Sequence, residues 1–162
     1  MKKIVVLVFI ILFSGVSHVQ AAGGGSYSSN DGDGGGYAAA QTNPELKPAK
    51  QAISRQDFTT AISEIRSVLE EQPDNADAWN LLGYSSRKTG DFKTAEAAYT
   101  KALDLDPKHT QAMEYMGEMY LTLNQPDKAE ELLARLNKLC SFNCTDRDDL
   151  DAAIKSYKAS RS

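Results

Sequence analysis

Cys140 and Cys144 are the residues whose type and spacing most directly suggest chemistry, and three residues separate them. An even number of cysteines in an exported chain favours a disulfide, which here would close a short loop. A thiol-redox pair usually has two intervening residues and follows a strand. A zinc site needs about four ligands, and the chain has two histidines, His18 and His109. A structural disulfide is therefore favoured, with free thiols and redox or metal chemistry as open alternatives.

Two other groups of residues resemble ligand sets. Met113, Met116 and Met119 could form a copper-binding cluster, but they recur at helical spacing, as core residues do. Asp31 and Asp33 resemble the start of a calcium loop that lacks its later carboxylates. Because no nucleophile motif or acid–base constellation accompanies them, we predict that the protein is not an enzyme and has neither a cofactor nor a metal.

The first 21 residues have the pattern of a secretory signal peptide. Lys2 and Lys3 precede an apolar run over residues 4–13, which is shorter than the roughly 20 residues of a membrane-spanning helix. We therefore predict cleavage near Ala21 and a periplasmic or secreted protein of a Gram-negative-type envelope. A retained anchor is the alternative, and no stable membrane insertion is expected after cleavage.

The segment 22–43 is rich in Gly and Ser, which predicts a disordered tether because such residues bury little apolar surface. From residue 44 to 160 apolar residues recur at spacings of three and four, with breakers between segments of about 11 to 15 residues. Sustained alternation of apolar and polar residues is absent from the sequence, so the predicted fold class is all-α. The formal net charge of −4 argues against a nucleic-acid partner.

An internal repeat organises this helical region. Pro73 and Pro107 lie 34 residues apart, and so do Gly83 and Gly117. The segment 78–109 resembles a unit of the tetratricopeptide repeat (TPR) family, with Ser86 as its main departure because the family favours Tyr there. The residues that occupy family positions are Trp79, Leu82, Gly83, Gly90, Ala95, Tyr99, Ala102 and Pro107.

The resemblance implies a short right-handed solenoid of about three helical hairpins, over 42–75, 76–109 and 110–143. Pro48 disturbs the first unit, whose first helix is expected to begin near that proline. Asn124 replaces the turn glycine of the third unit and tolerates the same left-handed conformation. A capping helix is predicted over 146–159, with Thr145 and Asp148 as a capping box. Trp79 is expected in the core.

The resemblance also implies a scaffold or adaptor that binds a protein or peptide along the concave face formed by the first helices. The mixed, mostly acidic character of that face predicts a partner segment with at least one Lys or Arg. A thiol-linked or metal-linked role of the cysteine pair and self-association as a homodimer are the alternative functions. The residues expected on the binding face are Asp77, Asn80, Tyr84, Arg87, Gln111, Glu114, Glu118 and Leu121.

Overall fold

A computed structural model describes residues 43–140 and 142–161 of the chain. The predicted signal peptide and nearly all of the predicted tether lie outside these described residues. Within the described ranges, no helix is both long enough and apolar enough to cross a membrane.

The described residues form helices and turns without a strand, which confirms the predicted all-α class. A 3-10 turn at Pro44–Leu46 leads into the first helix. Its second residue is Pro48, where a missing backbone N–H costs little. The α-helices are α1 Lys47–Ser54, α2 Phe58–Glu71, α3 Ala76–Lys88, α4 Phe92–Leu105, α5 Thr110–Thr122, α6 Pro126–Leu139 and α7 Thr145–Ala159.

Successive helices pack as hairpins, α1 with α2, α3 with α4 and α5 with α6. The turn inside each hairpin contains one residue with left-handed backbone: Gln56 (φ 59°), Gly90 (φ 84°) and Asn124 (φ 60°). These three residues lie 34 positions apart, so the repeat reproduces the turn as well as the helices. Gly90 and Asn124 confirm the predicted turns, whereas Gln56 adopts a conformation that its type disfavours.

Side chains at the helix N-termini satisfy backbone N–H groups that have no partner within the helix. Asn75 accepts from the N–H of Ala78 at 3.0 Å and begins α3, and His109 accepts from Ala112 at 3.2 Å and begins α5. The predicted capping box of α7 is wrong. Cys144 is its N-cap residue and caps no N–H with its side chain.

Two small residues let helices approach closely, but toward different partners. A Cβ at Gly83 of α3 would lie 2.6 Å from ring atoms of Tyr99 on α4, within the same hairpin. A Cβ at Gly117 of α5 would lie 2.6 Å from Leu150 of α7, outside its hairpin. The first contact closes the second hairpin, and the second seats α7 on the third.

Trp79 packs against both hydrophobic clusters of the domain but is only partly buried. Its indole Nε1–H donates to the backbone carbonyl of Pro73 at 2.7 Å. Trp79 therefore bridges the two clusters at the boundary between the first and second repeats, with one edge of the ring outside the core.

The connection between α6 and α7 runs from Cys140 to Cys144, whose Cα atoms are 5.7 Å apart. This separation lies within the range that a disulfide allows. Beside it, Phe142 is 85% exposed, so the connection presents a large apolar side chain to solvent.

Candidate partner-binding face

The first helices of the second and third repeats, α3 and α5, contact each other along one side of the domain. We call this side the α3–α5 face and define it by the eight residues predicted for partner binding. Helix α7 packs against α5 and extends the face beyond the third repeat.

Side chains of α3 form hydrogen bonds with side chains at the start of α5. Near the start of the helices, Asp77 bonds to the ring of His109 at 3.2 Å. This hydrogen bond lowers the pKa of Asp77. One turn further, the side-chain amide of Asn80 donates to Gln111 Oε1 at 2.9 Å. These two hydrogen bonds join residues that lie 31 or 32 positions apart in the sequence. They therefore fix the register of the second repeat against the third.

Arg87 of α3 forms the next contacts between the two helices. Its guanidinium forms an ion pair with Glu118 at 2.9 Å, and its side chain is 13% exposed. The same group lies 5.6 Å from the ring centroids of both Tyr84 and Tyr115, within cation–π range. The two rings are themselves 4.9 Å apart. Arg87 is therefore held by one carboxylate and two aromatic rings, in a fixed position.

Glu114 is the most unusual residue of the face because its side chain is ionisable and the residue is only 6% exposed. Burial, followed by repulsion from Glu118, Asp146 and Asp149, raises the pKa of Glu114 to about 9, against the attraction of Arg87. At neutral pH the Glu114 carboxyl group therefore holds its proton.

The structure places the eight predicted residues on the two facing helices but not at equal exposure. Asn80, Glu114 and Leu121 are buried, and Leu121 belongs to the hydrophobic cluster of the C-terminal half. Asp77 and Glu118 keep about half and one third of their side chains exposed. The surface available to a partner therefore consists of Asp77, Glu118 and the intermediate residues Tyr84, Arg87 and Gln111.

Three residues next to the α3–α5 face were not predicted from the sequence. The ring of Tyr115 packs at a tilt against that of Tyr84, although Tyr115 falls between the predicted contact residues of α5. Asp146 and Asp149 of α7 add negative charge beside Glu114. A signal for them existed in the aspartates at the start of α7, but α7 was expected to serve only as a cap.

The arrangement offers polar, aromatic and acidic contacts along two facing helices. Within the described residues, no group of three or more His, Cys, Asp or Glu side chains is placed to hold a metal ion. A face with an anchored cation, two tyrosine rings in contact and exposed carboxylates can bind a polar segment that carries complementary charge.

Comparison with known proteins agrees with this architecture. The model of the cytochrome c-type biogenesis protein H TPR domain matches residues 40–160. Tetratricopeptide repeat protein 37 of Xenopus laevis is 31% identical over 87 residues, which is 54% of this chain and 6% of that protein. Protein FlbA of Caulobacter vibrioides is 33% identical over 89 residues, covering 55% of this chain and 15% of FlbA. The chain therefore spans only a small part of the length of these relatives.

Solved structures show the same fold at low sequence identity. The TPR2B domain of yeast Sti1, solved in a pHsp70 complex, superimposes with a TM-score of 0.65 at 17% identity. The match covers 70% of this chain and 93% of that domain. The TPR domain of P58(IPK) gives a TM-score of 0.62 at 19% identity, covering 73% of this chain and 33% of that one. At these identities the likeness shows the helical-repeat fold alone.

Proposed function

Since the chain belongs to the family of cytochrome c-type biogenesis protein H TPR domains, we propose that it is a non-catalytic scaffold of the bacterial cell envelope that binds a partner protein on the α3–α5 face. The family's description supports a place in c-type cytochrome biogenesis. The amino-terminal pattern of residues 1–21 supports export.

One observation carries the proposal. Arg87, Glu118, Tyr84 and Tyr115 form a connected cluster on the face between two repeats, and Arg87 and Glu118 keep part of their side chains exposed. Aromatic and arginine side chains that are already held in position lose little conformational entropy when a partner binds. The cluster therefore suits recognition of an extended or helical segment with polar and basic side chains.

The proposal is tested by capture from envelope extract with variants that change charge but preserve shape. The face variant combines Asp77→Asn with Glu118→Gln, both at partly exposed positions. The matched control combines Glu64→Gln with Glu71→Gln, two exposed residues of α2 that remove the same charge. Circular dichroism melts establish that all three proteins are equally folded.

We expect the wild type and the α2 control to retain the same protein and the face variant to lose it. Mass spectrometry then identifies the retained protein, and a known component of cytochrome c biogenesis would support the proposed place of this chain. Equal retention by the face variant would refute binding on this face. It would indicate that the partner binds another surface, such as the one around the exposed Phe142.

We also propose that Cys140 and Cys144 form a disulfide in the exported protein, given their 5.7 Å Cα separation. Because the loop is short, its stabilisation should stay below about 3 kcal/mol. Thiol alkylation of protein from the envelope, followed by mass measurement, should label neither cysteine before reduction and both after it. Alkylation without a reductant would exclude the disulfide.

A further inference from the structure

A groove of about 380 Å³ lies between the second helices α4 and α6, and we call it the α4–α6 groove. Its floor is apolar because the buried side chains of Leu103, Met116 and Leu132 line it, one from each of α4, α5 and α6. The exposed residues Asp104 and Glu131 lie on its rim. The described residues that line the groove include none of the eight that define the α3–α5 face, so the groove is a separate surface.

Two cations of α6 contact the neighbouring helices along the groove. Lys128 Nζ lies 3.7 Å from a carboxylate oxygen of Glu96 and 4.6 Å from the centroid of the Tyr120 ring. Further along α6, the Arg135 guanidinium donates to the backbone carbonyl of Pro107, just after α4, at 3.4 Å. The groove therefore has a defined length, with one held cation toward each end.

The carboxylates on the rim have no such contacts. Among the described residues, neither Asp104 nor Glu131 forms an ion pair or a side-chain hydrogen bond. A cation that approaches the rim would therefore displace no existing partner, and an apolar group beside that cation could enter the groove. The groove is thus complementary to an apolar side chain that has a Lys or Arg close to it.

The chain itself carries such a group at the end of α6. The large hydrophobic side chains that are exposed among the described residues are Leu139, at 37%, and Phe142, at 85%. Lys138 directly precedes them and is also exposed. We call Lys138, Leu139 and Phe142 the α6 tip. Cys140 and Cys144 flank Phe142 with their Cα atoms 5.7 Å apart, so the connection that carries this side chain is short and closed.

We propose that two copies of the chain associate as a dimer in which the α6 tip of each copy, led by Phe142, binds in the α4–α6 groove of the other. Groove and tip share helix α6, so one two-fold axis brings both contacts together and the assembly closes at two copies. This inference goes beyond the proposed function, because it concerns assembly on another surface. The dimer would present two α3–α5 faces to partners, which raises the apparent affinity for a partner with two binding segments.

Spacing along α6 gives the register of the contact. Glu131 and Lys138 lie seven residues apart, about two helical turns, and therefore on one side of the helix. Ala134 lies between them and is exposed, and its small side chain lets two antiparallel α6 helices approach closely. Glu131 of each copy then lies opposite Lys138 of the other, which forms two equivalent ion pairs. The same register brings Phe142 to the Lys128 end of the groove.

The first test changes the apolar contact. Sedimentation velocity of the full chain isolated from the envelope measures association at concentrations from about 1 to about 300 µM. The tip variant is Phe142→Ala, and the groove variant is Thr100→Trp, in which an exposed lining residue is enlarged to fill the groove. Thr59→Trp, at an exposed position of α2, is the matched control. Circular dichroism melts establish that the variants are folded like wild type.

The second test exchanges charge across the proposed ion pairs. Glu131→Lys and Lys138→Glu each place like charges opposite one another, and the variant that combines them restores opposite charges in reverse order. The matched controls are Glu64→Lys on α2 and Lys47→Glu on α1, singly and combined, which make the same charge changes at exposed positions outside both surfaces.

We expect wild type and all controls to show a monomer–dimer equilibrium with a dissociation constant in the micromolar range. Phe142→Ala and Thr100→Trp should each raise the dissociation constant at least about tenfold, because an aromatic anchor is lost or excluded twice in each dimer. Glu131→Lys and Lys138→Glu should each raise it at least about fivefold. The combined variant should return to within about twofold of wild type.

A wild-type chain that sediments as a monomer over the whole range would overturn the proposal. So would dimers of Phe142→Ala and Thr100→Trp that are as stable as those of wild type. Species larger than a dimer would contradict the two-fold arrangement, and a combined charge variant no better than its single parents would contradict the α6 register. Partner capture by the Asp77→Asn, Glu118→Gln variant tests the α3–α5 face independently, so failure of the dimer leaves the proposed function standing.

Discussion

Replacement of Gly83 by alanine tests whether the approach of α3 and α4 depends on the missing side chain. A Cβ at this position would lie 2.6 Å from two ring carbons of Tyr99 and 2.9 Å from a third. Real Cβ atoms do not approach other carbons so closely, so the ring or the helix must move. Because Tyr99 is fully buried, its ring has no solvent-facing position to which it can turn.

The magnitude follows from two opposing effects. Alanine should favour helix α3 by about 1 kcal/mol relative to glycine. Overpacking of a closely packed core costs about 1–3 kcal/mol, and a rigid, enclosed ring belongs in the upper part of that range. We therefore expect Gly83→Ala to lower the free energy of unfolding by about 1–2 kcal/mol. Urea unfolding followed by far-UV circular dichroism measures this change.

Two further variants make the test specific. Gly117→Ala meets the branch ends of Leu150 at 2.6 and 2.7 Å, and these ends can rotate more readily than a ring. It should therefore cost less than Gly83→Ala. In a double-mutant cycle, Tyr99→Leu should relieve at least about 1 kcal/mol of the Gly83→Ala penalty. A Gly83→Ala protein as stable as wild type, or additive effects in the cycle, would refute the steric argument.

Three other predictions concern stability. The folded protein keeps the proton of Glu114 up to a pKa of about 9, whereas the unfolded chain loses it near 4.5, so stability should fall as the pH rises between these values. The slope is at most about 1.4 kcal/mol per pH unit, and Glu114→Gln should flatten it in urea titrations at pH 5 to 8.5; equal slopes would contradict a protonated Glu114. Trp79→Phe removes the 2.7 Å hydrogen bond to the backbone carbonyl of Pro73. It should lower the free energy of unfolding, measured with urea, by about 1 kcal/mol, and an unchanged free energy would contradict this. Gly90→Ala meets no atom within 4 Å but must adopt φ +84°, so a loss of about 1 kcal/mol should be recovered in part by Gly90→Asn; a neutral alanine would show that the turn can rearrange.

Much of the fold could be predicted because the determining signals are local and repeated. The 34-residue spacing that relates Gly83 to Gly117 also relates the turn residues Gln56, Gly90 and Asn124. Glycine and asparagine adopt left-handed backbone more readily than other residues, so Gly90 and Asn124 predict such a turn. Gln56 could not be recognised in this way, because glutamine has no preference for that conformation.

The candidate face was predictable in position but not in exposure. The family resemblance implies that Asn80, Glu114 and Leu121 lie on the same side of the first helices as Tyr84 and Arg87. The resemblance does not say how deeply a neighbouring helix covers each of them. The structure buries these three residues through the contacts among α3, α5 and α7, leaving a smaller accessible surface than the eight predicted positions suggest.

The sequence by itself therefore determined the all-α class and the helical hairpins, because these depend on apolar spacing and on turn residues close along the chain. Only the tertiary structure decided the chemistry of the face. The pKa of Glu114 is raised first by burial and then by Glu118, and further by Asp146 and Asp149, which lie more than 30 residues away in the sequence and belong to α7, the helix that packs on α5. Desolvation and electrostatic repulsion act through space, so no local pattern could have revealed them.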